Sequence, residues 1–453
     1  MKITIVGAGV AGLTLGYLLS KKGIPVILVE KEKEVGGLAR SFHYENWSID
    51  IGPHRFHTDD SLVKDFLNET MQKHLIDIPR NSKVHFFNKH YEWPLTFKSL
   101  FQLPPSLIMN SLKDLVFRPK AAGQTFESYV MSKYGKTLTD SFFREYTQKF
   151  LKVTLDQCHR DWAETGINRA TIDENVRTSN IIELLLGVLS RNKINTTFLY
   201  PKNGAIDEFP KILAQKIQDQ DGTILTDRKI VKIIEENNMI QSLVLSDGHE
   251  LASDYVFWSG SPSNLESLLG IDDSELTFCS TVLCNLLVEG TPPVPSQWEY
   301  FGSREIIFCR LSTNTSFNPA LAPPGYYGIC AEIVCYEGDY VWNKGNHLLN
   351  IIIQNLIETK VVRNFNSIAD VHFEKILNTY PIYKIDYHKK LKNYENKLKK
   401  IKNLLAFGRT GGFWYNNMDH SIRSSIDLSN MIDPEKLSTP KGFPFNGVFR
   451  GDF

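Results

Sequence analysis

The run Val6-Gly7-Ala8-Gly9-Val10-Ala11-Gly12 constrains this chain more than any other stretch of comparable length. It puts the spacing G-x-G-x-x-G directly after an apolar, β-branched run at residues 2 to 6 and at the opening of a helical run at residues 11 to 21. A second strand-like run follows at residues 25 to 30, and strand, helix, strand in that order is the unit of a parallel sheet. Gly7 permits the tight turn, Gly9 removes a Cβ so that backbone N–H groups can approach a pyrophosphate, and Gly12 lets helix and sheet pack closely. Glu30 closes the second strand, where a carboxylate accepts hydrogen bonds from a ribose diol and repels a 2′-phosphate. NADP is therefore disfavoured at this site.

Composition narrows the class. With 453 residues and 42% hydrophobic content, the chain can bury a large core and form two or three structural domains. Its 51 basic and 51 acidic side chains cancel, so net charge recommends neither nucleic acid nor an anionic membrane as partner. Cys158, Cys279, Cys284, Cys309, Cys330 and Cys335 contain no C-x-x-C pair and read as reduced, buried thiols, with no metal site expected and a cytoplasmic location. The start mimics a signal peptide only superficially, since its three glycines are foreign to one and no small-residue cleavage site follows. The run IIELLLGVLS falls far short of the roughly 20 apolar residues that span a bilayer, so no membrane insertion is expected.

The periodicity predicts an α/β chain: a Rossmann-like nucleotide-binding domain (1-78, 198-262 and 400-453), an inserted helical domain (99-197) and a β-sheet substrate domain (79-98 and 263-399). Short alternating segments between Thr223 and Phe257 return to the nucleotide-binding domain, whereas STVLCNLLVEG and YYGICAEIVCYEG supply strands of the substrate sheet. The lysine-rich run NYENKLKKIKN reads as a solvated helical face.

FAD is preferred over NAD because Gly36-Gly37-Leu38-Ala39-Arg40 follows the ribose acid. The glycine doublet gives a second bare backbone surface against the diphosphate, and Arg40 can neutralise it. This resembles the extended FAD fingerprint of the amine oxidase, protoporphyrinogen oxidase and UDP-galactopyranose mutase superfamily. Near the other end, NLLAFGRTGGFWYNNMDHSIRSSI runs from a strand into Gly408-Arg409, a turn, and a helix beginning near Met418-Asp419. The helix start would face the flavin pyrimidine edge and favour an anionic reduced flavin.

IDIGPHRFHTDD is similar to the flavin-proximal loop of the bacterial UDP-galactopyranose mutases, with His54 on the histidine against the isoalloxazine and His57 on the second one. The resemblance continues in FFREYTQKF, which implies Tyr146 by the substrate and Lys149 near it, and in YPKNGAIDEF. TYPIYKIDY and GRTGGFWYNNMD imply phosphate-contacting Tyr380 and Tyr415 and a flavin contact at Arg409, while Arg169 and Arg310 fall where the family keeps two diphosphate-binding arginines. Leu151 departs from the family's nucleobase-side tryptophan, which leaves UDP, dTDP and GDP sugars open. The stretch between Arg310 and Tyr380 is also longer than in the bacterial mutases.

The resemblance implies a pyranose/furanose mutase of a nucleotide-diphosphate sugar, of the kind used in polysaccharide biosynthesis, compatible with a homodimer. Reduced flavin N5 would attack the anomeric carbon in a redox-neutral reaction, with NAD(P)H as external reductant. His54 would set the position of N5, and Arg169, Arg310, Tyr380 and Tyr415 would stabilise the departing diphosphate, arginine because its fork meets two phosphate oxygens at once. An FAD oxidase or desaturase of an amine, porphyrinogen or polyene, with an apolar pocket, is the rival reading. A flavin-binding scaffold without catalysis is the third.

Overall fold

The computed structural model describes residues 2–93, 102–117, 123–163, 196–433 and 446–451, together with Ser99 and Pro119. The strand Ile3–Val6 is buried along its whole length and pairs in parallel with Val26–Val29 on one side and Tyr255–Trp258 on the other. Leu404–Phe407, Gly447–Phe449 and Thr223–Leu225 complete a six-stranded parallel sheet, in the spatial order 447–449, 404–407, 255–258, 3–6, 26–29, 223–225. Strands covered on both faces carry continuous apolar runs, and ITIV, YVFW and LLAF are of that kind.

The helix Val10–Lys21 follows the first strand and packs on the helix Met418–Met431, where Ser425 Oγ donates to the Ala11 carbonyl at 3.0 Å. This contact carries the carboxy-terminal segment back to the first βα turn, although more than 400 residues of chain separate them.

A second, seven-stranded sheet runs in the order 368–381, 278–289, 326–335, 310–312, 298–301, 82–86, 89–92. All its pairings are antiparallel except that between 298–301 and 82–86. The long strands Phe278–Glu289 and Tyr326–Cys335 are buried almost throughout and form its centre. Helix Leu349–Glu358 covers one face through Ile352, Ile353 and Leu356, and each such fully buried side chain contributes roughly 1.5–3 kcal/mol. The first part of the lysine-rich run ends the helix Tyr387–Leu398, which buries Tyr387, Leu391, Tyr394 and Leu398, while Lys397 turns inward to pair with buried Glu266.

Helices Pro105–Phe117 and Phe126–Leu138 pack together, and a π-helical turn at Thr139–Arg144 leads into the helix Glu145–Leu151. The segment is tied to the helix Tyr387–Leu398 through Asp161, whose carboxylate accepts from Tyr387 Oη at 2.6 Å and pairs with His388 at 2.7 Å, beside His159. The apolar run SNIIELLLGVLS lies outside the described residues. All six cysteines are buried and unpaired, and burial pushes the Cys309 thiol up to about 11. Among the described residues no helix is long and apolar enough to cross a membrane.

Candidate functional site

A cavity of about 600 Å³ runs from the carboxyl ends of the parallel strands to the inner face of the seven-stranded sheet. Its near end is made by the glycine turn. Gly7 takes φ +100°, and a Cβ there would stand 2.3 Å from Ser259 Oγ. A Cβ on Gly12 would meet the Gly7 carbonyl oxygen at 2.0 Å, so this glycine serves helix–sheet packing and does not line the cavity. Gly36 and Gly37 hold φ of +117° and +58°, and a Cβ on Gly37 would lie 3.0 Å from the Gly9 Cα. Two bare backbones thus face each other beside the start of the helix Val10–Lys21, whose first N–H groups have no partner within the helix.

Glu30 is 6% exposed; its two carboxylate oxygens accept from Ala8 N at 2.7 Å and Glu32 N at 3.0 Å. That arrangement fixes the carboxylate on the cavity wall while lone pairs remain for a ligand. Leu38 and Arg40 also line the cavity, and Arg40 Nε donates to the Gly37 carbonyl at 3.1 Å.

The far end is assembled from five separate pieces of chain. The loop at Gly52-Pro53-His54 lies against the pair Arg310–Glu332: Gly52 has φ +68°, and a Cβ there would stand 2.7 Å from Glu332 Oε1. Arg310 and Glu332 are cross-strand partners, with Nε to Oε1 at 2.5 Å and Nη2 to Oε2 at 2.7 Å. Nη2 also donates to Tyr380 Oη at 2.9 Å. Burial opposes the Arg310 charge, but the Glu332 carboxylate more than offsets it and holds the guanidinium well above its ordinary value. Burial likewise keeps Tyr380 protonated.

Arg409 donates to the carbonyls of Thr379, at 2.7 Å, and Asn416, and its guanidinium stands 4.6 Å over the Tyr415 ring. The helix Met418–Met431 opens with an Asn417–His420 capping box, and Met418 and Ser421 reach the cavity wall. Asp419 in the same turn does not line it, and neither does Gly408, whose φ of +73° allows the chain to leave the strand beside Ala11. His54 is pushed down to about 3 by burial and by the charges of Arg310, Arg55 and Arg409, so the imidazole is neutral.

Other candidates from the sequence lie elsewhere. Tyr146 is half-buried, stacked on Phe150 at 5.5 Å and edge-on to Tyr300 at 5.8 Å, off the cavity wall. The Lys149 ammonium donates to the Phe301 and Ser303 carbonyls at 3.1 and 2.9 Å and does not line the cavity. His57 is partly exposed, 3.3 Å from the Thr197 carbonyl. Arg169 lies outside the described residues. Leu151 is fully buried, while an indole comes from Trp162, which stacks on Tyr415 at 4.9 Å.

Sequence reasoning passed over Glu332 and Arg55. Glu332 sits in the apolar strand YYGICAEIVC, where a lone acid at 3% exposure is itself a signal that a cation must face it. Arg55 stands between two conspicuous histidine positions and lines the cavity.

The site's orphaned polar atoms test what it is built to hold. His54 Nδ1, Arg55 Nε and Arg409 Nε are enclosed with no hydrogen-bond partner, all at the far end. The near end offers a bare glycine cradle and a fixed carboxylate. A flavin dinucleotide fits both ends: a diphosphate against the glycines, a ribose on Glu30, and a polar ring system beside His54 and Arg409.

Known proteins give the same picture. The family model described as flavin containing amine oxidoreductase matches residues 10–277. The dTDP-fucopyranose mutase of Escherichia coli is 28% identical over 162 residues, covering 33% of this chain and 41% of that protein. The L-amino-acid oxidase of Crotalus adamanteus is 25% identical over 155 residues, covering 31% of this chain and 30% of that protein. Each alignment spans less than half of the curated relative. Among solved structures, reduced UDP-galactopyranose mutase superposes with a TM-score of 0.82 at 20% identity, over 97% of this chain and 96% of that one. Putrescine oxidase bound to putrescine superposes at 0.61 and 13% identity, over 95% and 98%. At these identities the solved structures share the fold.

Proposed function

We propose that this chain, which belongs to the flavin containing amine oxidoreductase family, binds FAD and interconverts the pyranose and furanose forms of a nucleotide-diphosphate sugar. One observation carries this reading: beyond His54 the cavity wall brings together Arg310, Tyr380, Arg409 and Tyr415, set among the apolar side chains of Leu283, Ile376 and Leu377. An amine or polyene oxidase has no use for several guanidinium groups at the substrate end, whereas a departing diphosphate does.

FAD, once reduced by an external donor such as NAD(P)H, would supply an electron-rich nitrogen nucleophile and return unchanged, so the net reaction moves no electrons. The chain's own residues supply the rest. His54, neutral and enclosed, orients the bound ring through an uncharged imidazole. Arg310 and the Tyr380 hydroxyl, already hydrogen-bonded to each other, present donors to the phosphate oxygens on which charge develops as the sugar–phosphate bond breaks. Arg409 and the first turn of Met418–Met431 favour negative charge on the ring. In this reading Arg169 adds a second guanidinium to the diphosphate, Tyr415 a hydroxyl, and Tyr146 shapes the wall behind them.

Dithionite-reduced protein incubated with UDP-, dTDP- and GDP-hexoses, followed by NMR of the anomeric region, tests the proposal. The dTDP sugars come first, because one relative is a dTDP-fucopyranose mutase. A ring isomer formed with no net consumption of reductant is the expected result. No isomer with any sugar, together with oxygen uptake on an amine, would establish the oxidase reading, which the relatives among the L-amino-acid oxidases favour.

A further inference from the structure

We propose that Arg55 binds a phosphate oxygen of the nucleoside diphosphate and is the principal cation of the substrate end. This rests on the mutase reading and names a residue which that reading does not contain.

The backbone around Arg55 is fixed. The next residue, Phe56, is buried and exchanges both backbone hydrogen bonds with Leu199, at 2.9 and 3.0 Å. The guanidinium stacks against Trp298, with Cζ 4.7 Å from the ring centroid, and against Phe198 at 5.0 Å. Aromatic faces support the plane of the cation and leave its edge as the donor surface. That edge makes one hydrogen bond, from Nη1 to the Pro53 carbonyl at 3.3 Å, and Nε is enclosed with no partner. The side chain retains accessible area although protein surrounds it, because that area faces the cavity.

Charge distinguishes Arg55 from the other arginines. Arg310 is matched by the bidentate Glu332 carboxylate. Arg409 is held by two backbone carbonyls at the end of a nucleotide-fold strand, beside the helix start that serves the flavin ring. Among the described residues no carboxylate lies within ion-pair distance of Arg55, and its aromatic platform Trp298 belongs to the seven-stranded sheet. Asp419 contributes only at longer range, and an enclosed cation with no carboxylate paired to it is unfavourable and is relieved when an anion binds. Burial drives the guanidinium below its ordinary value for the same reason. The group with the most to gain from a phosphate is therefore Arg55, not the already paired Arg310.

Calorimetric titration of free UDP, dTDP and GDP into FAD-loaded wild type, Arg55→Met and Arg55→Lys tests this, with flavin content read from absorbance. Arg55→Met should keep wild-type flavin content and bind the preferred nucleotide about tenfold or more weakly, the loss of one charge-assisted contact. Arg55→Lys keeps the charge without the fork and should fall between the two. Equal nucleotide binding by wild type and Arg55→Met overturns this inference alone. Loss of flavin with nucleotide binding intact assigns Arg55 to the cofactor and overturns it too. If wild type binds none of the three nucleotides, the mutase reading falls and takes this one with it. Should Arg55→Met fail to fold, Arg55→Lys decides: unaltered nucleotide binding there overturns the claim for a guanidinium fork.

Discussion

Arg310 and Glu332 face each other across neighbouring antiparallel strands and close a two-point ion pair, 2.5 and 2.7 Å, on the wall of the cavity. Tyr380 Oη joins both partners, 2.9 Å from Arg310 and 3.3 Å from Glu332. The three groups come from three strands of one sheet, and their geometry is set by strand register rather than by a loop.

Glu332→Gln should therefore destabilise the ligand-free protein. It leaves the Arg310 charge enclosed without a counter-ion, a loss of about 3 kcal/mol for one broken buried pair. Urea unfolding of the flavin-free protein measures it. A change below about 0.5 kcal/mol would mean that solvent in the cavity screens the pair as it does at a surface.

Gly12→Ala and Gly37→Ala should fail in different ways. The first places a methyl 2.0 Å from a backbone carbonyl at the helix–sheet contact and should lower the unfolding temperature. The second fills the gap over Gly9 at φ +58° and should leave circular dichroism near wild type while flavin retention falls about tenfold or more. Retention of flavin by Gly37→Ala, measured by equilibrium dialysis, would remove the glycine doublet from the cofactor site.

Asp50 gives a pH signature. It is fully buried and accepts from Tyr200 Oη at 2.6 Å, Ser41 Oγ at 2.7 Å and Ile206 N at 3.1 Å. Burial outweighs these donors and raises the carboxyl to about 6. A carboxyl raised in the fold stabilises it fully below its unfolded value near 4, and that contribution is lost as pH rises through about 6. Wild type should thus lose roughly 2 kcal/mol relative to Asp50→Asn between pH 4 and pH 7. Denaturation at both pH values checks this, and parallel pH profiles would contradict it.

His54 should remain neutral across the working range of the ligand-free protein. Its value near 3 means that its imidazole NMR signals should not move between pH 5 and pH 8. A His54 titration near pH 6.5 would show that the surrounding arginines do not reach it.

Tyr380→Phe removes the hydroxyl between Arg310 and Glu332 and keeps the ring. Under the mutase reading it should lower kcat about tenfold, with flavin content unchanged. Stopped-flow turnover with the active sugar measures it, and an unchanged kcat would leave Tyr380 a packing residue.

Local chemistry was readable where spacing along the chain fixes spacing in space. Gly7, Gly9 and Gly12 sit at one strand–helix turn, and Glu30 at the end of the next strand, so sequence distance dictates their geometry. Gly36 and Gly37 followed because the chain has little freedom to leave that turn. The far end lacks any such ruler. His54 and Arg310 lie in separate segments, and family resemblance, not spacing, pointed to them. The helix of Lys149 turns its ammonium to the carbonyls at 301 and 303, a rotation that no motif encodes.

The amino-acid sequence by itself determined the parallel-sheet start, the glycine turn and the acid at the end of the second strand, since each depends on backbone conformations within one βαβ unit. Tertiary structure decided which charges are free. Pairing across the seven-stranded sheet gives Arg310 a carboxylate, and aromatic packing leaves Arg55 without one. Whether a cation is neutralised depends on its neighbours in space, a few ångströms away and hundreds of residues distant in the chain.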